Sequence, residues 1–216
     1  MQINSDLRPA VFLDRDGTLI KHVHHLCSPD RVALEQGAAE ALYLLQKAGF
    51  VRVVVTNQSV VGRGMLSVGG LKAIHDKMEQ LLSKQGASVD SIYFSTHVPR
   101  TSDLSKVEYF DRKPGPGMLL RAAQELGLSL AKSWMIGDSI SDVLAGANAG
   151  CKGNCLLKTG LYSLEGQYSD QISFIASDIL EAAQRILRQD SISIWGDKPA
   201  NDEIMQQDVL PPDRYL

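Results

Sequence analysis

Two carboxylates, Asp14 and Asp16, leave the apolar run Ala10-Val11-Phe12-Leu13 with only Arg15 between them. In a continuing strand, residues two apart share a face, so both negative charges would crowd one edge of a buried element. Such crowding is costly unless a cation neutralises it. A hard divalent ion such as Mg²⁺ does so through one or two carboxylates, water and substrate phosphate. Gly17 lets the backbone turn sharply, and Thr18 brings a hydroxyl to the turn. Taken alone, the segment also reads as a plain acidic turn after an edge strand.

Other segments carry polar side chains to comparable places. Thr56-Asn57-Gln58 follows the almost wholly apolar residues 51–55, and Gly137-Asp138-Ser139 follows Trp134-Met135-Ile136, with Asp142 beyond. Lys113 lies just before a helix opening at Pro116. Each has an ordinary reading: Thr56 and Asn57 as a turn, Lys113 as a solvated loop cation, Asp138 as a helix cap. At one edge of one sheet they would gather three carboxylates, a hydroxyl, an amide and an ammonium.

The elements that must position them alternate along the chain. Residues 37–48 read as a helix with Ala38, Ala41, Leu42, Leu45 and Ala48 on one face and Gly49 as its stop. Residues 51–55 read as a strand buried on both faces. Ser67 caps a helix running towards Lys84, with Leu71, Ile74, Met78, Leu81 and Leu82 inward. Residues 91–95 form a third strand, 116–126 a helix ended by Gly127, and 134–136 a fourth strand. An Ala-rich helix then runs to Ala149, residues 155–157 and 172–175 make outer strands, and Asp178 with Glu181 forms a capping box for a last helix to Arg188. Strands and helices that alternate along most of the chain predict an α/β fold, a Rossmann-like parallel sheet with helices on both faces. Ligands in such sheets bind outside the carboxyl ends of the strands, where every polar segment named above falls.

Composition points the same way. The chain has 216 residues, 44% hydrophobic and 22% charged, which suits a single soluble domain. A net charge of -3 gives no general attraction to nucleic acid or anionic membrane, and no apolar stretch reaches transmembrane length. Without a signal-like N-terminus, and with only Cys27, Cys151 and Cys155, the expectation is a reduced, cytoplasmic protein. A monomer or small homo-oligomer is expected, with no nucleic-acid or membrane partner.

The motifs resemble the haloacid dehalogenase superfamily of phosphohydrolases: Asp-x-Asp-Gly-Thr at 14–18, Thr56, Lys113 and Gly137-Asp138, in that family's order across residues 11–149. The resemblance implies a haloacid dehalogenase-like fold, with Asp14 as a nucleophile that becomes an aspartyl-phosphate and Asp16 as general acid and base. It implies Mg²⁺ held by Asp14, the Asp16 carbonyl and Asp138, with Thr56 and Lys113 binding phosphoryl oxygens and Asp142 in support. Longer matches narrow it: Leu13-Asp14-Arg15-Asp16-Gly17-Thr18, Thr56-Asn57-Gln58-Ser59, Gly62-Arg63-Gly64 and Arg112-Lys113-Pro114-x-Pro116-Gly117-Met118. Together these resemble the D-glycero-D-manno-heptose 1,7-bisphosphate phosphatases, and histidinol-phosphate phosphatases share much of the pattern. Members of this group carry no mobile cap domain, and the segments 18–37 and 100–111 are too short for one. The implied reaction is Mg²⁺-dependent removal of the 7-phosphate from a small phosphorylated sugar, the heptose bisphosphate. Substrate selection then falls to loops: His22, His24 and His25, Asn57, Gln58 and Ser59, and Arg112, whose fork suits a second phosphate. The bland alternatives are a solvated His loop and a surface ion pair of Arg112 with Asp111 or Glu108.

One segment departs from the pattern. Many heptose bisphosphatases hold a structural zinc with a Cys-x-His and a Cys-x-Cys pair. The corresponding positions here read Ser95-x-His97 and Tyr109-x-Asp111, so zinc is expected to be absent. Cys151 and Cys155 follow the last motif and read as core thiols. The Thr-Asn-Gln-x-x-x-Gly-Arg-Gly run is also similar to polynucleotide 3′-phosphatases, which need a positive groove that this composition does not favour. A non-enzymatic phospho-metabolite binding protein would be expected to lack Asp14 or Asp16, and both are present. Residues 1–188 read as the phosphatase domain. Residues 189–216, Pro-rich and with a possible strand at Ile192-Ser193-Ile194-Trp195, read as a tail packed on the domain or contacting a partner.

Overall fold

The computed structural model describes residues 7–160 and 168–190. Strands β1 (Ala10–Leu13), β2 (Val51–Asn57), β3 (Ser91–Ser95), β4 (Trp134–Gly137), β5 (Gly153–Leu157) and β6 (Phe174–Ala176) form one sheet in the order β3-β2-β1-β4-β5-β6. Every pairing is parallel. Helices α1 (Ala38–Lys47), α2 (Ser59–Gly62), α3 (Val68–Ser83), α4 (Gly117–Leu126) and α5 (Ile140–Ala149) lie in the connections between strands, and α6 (Ile179–Gln189) follows β6. This is the doubly wound arrangement, and its order reverses between β1 and β4.

The strands alternate side chains between two apolar layers, as a pleated strand must. Val11 and Leu13 of β1 join Val54, Trp134 and Ile136 in a layer closed by α1, α3 and α6 through residues such as Leu42, Leu45, Ile74, Met78 and Ile186. Ala10 and Phe12 join Val53, Val55 and Met135 against Met118, Leu119 and Ala122 of α4 and Ala145 of α5. β1 is completely buried on both faces, and its carboxyl end carries Asp14 out to the edge of the sheet.

Several helix ends differ from expectation in instructive ways. The α5 cap is Ser139 rather than Asp138: the Ser139 side chain accepts from the Ser141 N–H, while Asp142 accepts from the Ser139 N–H at 3.0 Å. Asp138 is thereby free of the cap. At α6, Asp178 accepts from the Glu181 N–H at 2.9 Å as the pattern implies, but Glu181 reaches one residue further out, to the N–H and hydroxyl of Ser177. That helix ends at Gln189, one residue past the expected Arg188. The outermost strand forms at Phe174–Ala176, shifted from 172–175. Helix α2 had no periodic signal, being a single turn.

Residues 14–37 contain only a short 3₁₀ turn at Pro29–Arg31, and residues 96–116 contain neither helix nor strand, so neither connection builds a cap domain. Among the described residues, no helix is long and apolar enough to cross a membrane. Residues 191–216, with the strand read at 192–195 and the Pro-rich tail, lie outside the described residues.

Candidate active site

Asp14 leaves β1 at the position where the sheet order reverses, its N–H donating to the Ile136 carbonyl of β4 at 3.0 Å. Asp138 leaves β4 beside it. One oxygen from each of Asp14, Asp138 and Asp142 lies within 4.8 Å of the others, and all three residues are buried. Three carboxylates so placed repel one another and need positive charge nearby.

Lys113 supplies part of it. Its ammonium is buried and lies 2.6 Å from Asp14 Oδ1, 2.6 Å from Asp142 Oδ1 and 2.7 Å from the Val55 carbonyl. Burial works against the charged amine, but the attraction of Asp14 and Asp142 outweighs it and holds the Lys113 pKa above its usual value. Asn57 fixes the lysine's backbone, its amide donating to the Lys113 carbonyl at 3.0 Å and its carbonyl accepting from the Lys113 N–H at 3.1 Å. Asn57 thus touches the lysine that reaches the centre, while its own amide is already paired.

Asp138 is not so compensated. Among the described residues no donor hydrogen-bonds to its carboxylate, and burial, then the charges of Asp14 and Asp142, push its pKa up to about 8. Asp142 is raised to about 6, chiefly by burial, with Lys113 opposing. The Asp138 carboxylate also lies so close to the turn after β1 that a Cβ on Gly17 would come within 2.1 Å of Oδ2. Gly17 itself has φ +80°, a conformation suited to glycine. Oxygen donors of this number and hardness, with one carboxylate left unpaired, fit a divalent cation such as Mg²⁺.

Asp16 is held differently. Arg15 Nη2 lies 3.1 Å from its Oδ1 and 2.9 Å from its Oδ2, and Arg15 Nε lies 3.2 Å from Oδ2. Gln58 Nε2 donates to Asp16 Oδ2 at 2.9 Å and to Thr56 Oγ1 at 2.8 Å, while Gln58 Oε1 accepts from Arg15 Nη2 at 2.9 Å. Sequence reasoning passed over Arg15. The available signal was a charged residue at the end of a wholly apolar strand, where only a paired ion is tolerated.

These groups open into a cavity of about 400 Å³, lined also by His22, His24, His25, Ser59, Leu104, Arg112, Ser139 and Ser141. His22, His24 and His25 are exposed, and the His24 and His25 rings lie 3.9 Å apart. Arg112 makes neither of the ion pairs considered from sequence. Its Nη1 donates to the His97 carbonyl at 2.9 Å, Asp111 pairs with His97 Nε2 at 3.2 Å, and Glu108 accepts from the Arg100 N–H. Burial, with the charge of Arg63 and against that of Glu108, holds the Arg112 pKa below its usual value.

The four positions that correspond to the zinc pattern, of which only His97 keeps its residue type, converge on one another. The His97 ring stacks on Tyr109 at 4.2 Å and 4°, Asp111 pairs with the same imidazole, and the His97 N–H lies 3.4 Å from Ser95 Oγ. Arg100 lies over the Tyr109 ring at 5.5 Å. Cys155 is in the core, and burial pushes the Cys151 and Cys155 thiols up to about 12.

A doubly wound sheet with this acidic cluster at its switch point has the architecture of the HAD-like phosphatases, and a HAD-hydrolase-like family model matches residues 110–182. The chain is 40% identical over 154 residues to the D-glycero-beta-D-manno-heptose-1,7-bisphosphate 7-phosphatase of Rhodopseudomonas palustris, a match covering 71% of this chain and 86% of that one. It is 36% identical over 188 residues to the corresponding enzyme of Thermosynechococcus vestitus, covering 83% and 95%. Among solved structures, the D,D-heptose 1,7-bisphosphate phosphatase of B. bronchiseptica, complexed with magnesium and phosphate, superposes with a TM-score of 0.69 at 31% identity, covering 84% of this chain and 99% of that one. The chain belongs to the D-glycero-D-manno-heptose-1,7-bisphosphate 7-phosphatase family, and it is a phosphatase.

The uncompensated Asp138 yields a prediction about stability. Its folded pKa of about 8 lies above the ordinary 3.8, so the metal-free protein loses stability as pH rises through that window. Asp138→Asn removes the loss, and in chelator at pH 8 the variant is expected to melt higher than the parent by several degrees, on the order of 2–4 °C per kcal/mol for a chain of this size. Mg²⁺ should raise the parent's melting temperature and leave the variant's nearly unchanged. Thermal melts with chelator and with Mg²⁺ check both.

Proposed function

We propose that the protein hydrolyses the 7-phosphate of D-glycero-D-manno-heptose 1,7-bisphosphate through an aspartyl-phosphate on Asp14. The observation that carries the reading is the Lys113 ammonium held between Asp14 and Asp142 beside the unpaired Asp138, at the floor of an open cavity. Asp14 has Oδ1 turned to Lys113, which orients the carboxylate as a nucleophile must be. Its attack on phosphorus breaks the bond to the sugar oxygen, and Asp16 gives that oxygen a proton. Water then attacks the aspartyl-phosphate, Asp16 takes the water proton, and phosphate leaves with the Asp14 carboxylate restored.

Thr56 and Lys113 contribute positive or donor groups for phosphoryl oxygens. Asp142 acts through Lys113, and Asn57 through the lysine's backbone. Asp14, the Asp16 carbonyl and Asp138 would hold Mg²⁺, which supplies charge neutralisation to the transferring group. The cavity volume suits a sugar phosphate rather than a polymer. His22, His25 and Ser59 line the wall on which sugar hydroxyls would rest, Gln58 is turned instead to Asp16, Thr56 and Arg15, and Arg112 is the donor for the distal phosphate. The loop around His97 is read as self-sufficient without zinc, since its ring is already stacked and paired.

Phosphate release from the heptose bisphosphate, histidinol phosphate, other sugar bisphosphates and 3′-phosphorylated DNA tests the substrate. The heptose bisphosphate should lead in kcat/KM, and preference for any other member of the panel would overturn the assignment. Asp14→Asn should abolish turnover with the fold retained, and substantial steady turnover by that variant would remove Asp14 from the nucleophile role.

Arg112→Ala is expected to lower kcat/KM on the bisphosphate by about 1.5–3 kcal/mol, as for loss of a charged hydrogen bond. The matched monophosphate should suffer much less. Equal losses on the two would assign Arg112 to loop folding or to the reacting phosphoryl group.

Elemental analysis addresses the metals. Purified protein should lack stoichiometric zinc, and activity removed by chelation should return with Mg²⁺ alone.

A further inference from the structure

The reading of Asp16 as the proton-transfer group says nothing about what aims it, and on this the hydrogen bonds are unusually one-sided. Asp16 Oδ2 receives Arg15 Nε at 3.2 Å, Arg15 Nη2 at 2.9 Å and Gln58 Nε2 at 2.9 Å. Oδ1 receives only Arg15 Nη2, at the longer 3.1 Å. A carboxylate has about four lone-pair sites, so Oδ2 is saturated and Oδ1 keeps an open one.

The donors are themselves immobilised. The Arg15 side chain is 1% exposed, whereas that of Asp16 is 20% exposed, so the buried partner is the fixed one. The Arg15 carbonyl accepts from the N–H groups of both Leu19 and Ile20 at 3.0 Å, which pins its backbone. Among the described residues Asp16 is the one carboxylate in contact with the guanidinium. Its buried neighbour on α3, His75, is pushed down to about 4 by burial and by the Arg15 charge, so it stays neutral and does not compete for that charge. Gln58 is locked in turn: its amide bridges Asp16, Thr56 and Arg15, and its N–H donates to the Ser95 carbonyl at 2.7 Å.

We infer that Arg15 and Gln58 are positioning residues that grip Asp16 by Oδ2 and so present Oδ1 to the leaving oxygen and then to the attacking water. The inference rests on the proposed aspartyl-phosphate reading. It does not place either residue in contact with the reacting phosphorus. In the first step the P–O bond to the alcohol breaks and the proton passes from Asp16 Oδ1 to that oxygen. In the second, the proton of the attacking water returns to Oδ1.

An aimed proton donor matters only where the leaving group needs a proton, and that separates a positioning role from a structural one. The experiment compares single-turnover release of the leaving group from the sugar bisphosphate with release of p-nitrophenolate, which departs unprotonated, from p-nitrophenyl phosphate. Gln58→Met keeps volume and removes the amide, Arg15→Lys keeps charge and removes the fork, and Arg15→Met removes both. Each is expected to slow release from the bisphosphate, Arg15→Met by on the order of 10²-fold, the usual cost of a misaligned catalytic group. Release of p-nitrophenolate should slow by only a few-fold, and Arg15→Lys should fall between the parent and Arg15→Met. Should Arg15→Met fail to fold, Gln58→Met and Arg15→Lys decide the matter.

Asp16→Asn is the reference. Loss confined to the sugar substrate in Asp16→Asn, but equal on both substrates in the Arg15 and Gln58 variants, overturns the positioning role and leaves the reading of Asp16 standing. Equal loss on both substrates in Asp16→Asn itself overturns the underlying reading.

Discussion

The ammonium of Lys113 is the interaction on which the rest depends. Three carboxylates buried at the end of two adjacent strands are strongly unfavourable alone, and a single lysine, itself unfavourable to bury, compensates two of them. Neither charge would be tolerated without the other. The lysine comes from a loop far along the chain, so the fold must deliver it to the β1 terminus with its backbone fixed. The Asn57 amide does this from the neighbouring strand. The third carboxylate, Asp138, remains as the place where positive charge is still wanted.

Sheet topology makes this convergence possible. At the reversal between β1 and β4 the connecting helices diverge to opposite faces, leaving a crevice that no helix covers. Asp14 and Asp138 are its two walls, and Thr56 and Asn57 come from the next strand. The loops that line the cavity beyond them, carrying His22, His25, Leu104 and Arg112, arrive from between elements and belong to no strand of the sheet. The groups proposed to react and those proposed to select the substrate thus have separate structural origins.

The strands and longer helices were legible because each has a strong period: β1 as an unbroken apolar run and β2 as one interrupted only by Arg52 before Thr56, α1 and α3 as apolar faces, α4 and α5 with glycine stops. The acidic edge was legible because Asp14, Thr56 and Asp138 follow those runs directly. Three things were not. The Arg15–Asp16–Gln58 set joins residues 43 apart in sequence through side-chain geometry that spacing does not encode. The choice of Ser139 over Asp138 as cap depends on a local competition between two good capping residues, settled by Asp142 completing the capping box. Arg112 turns to a carbonyl instead of an acidic neighbour because His97 and Arg100 have already taken Asp111 and Glu108.

The placement of Asp14 has a consequence for how the protein ages under heat. Its amide is hydrogen-bonded to Ile136 at the middle of the sheet, flanked by strands packed on both faces, so that bond belongs to the cooperative unit that opens last. The Arg112 side chain, one residue before the fixed Lys113, is held through the His97 carbonyl, in a segment whose His97–Asp111 pair is half-exposed, the kind of contact that opens sub-globally at small cost. Amide exchange would therefore rank Asp14 and the segment around His97 far apart. Under the roles proposed for Arg112 and Asp14, discrimination among substrates would fade on warming while the Asp14 carboxylate still stood in its native setting, giving selectivity and chemistry different thermal lifetimes in one molecule.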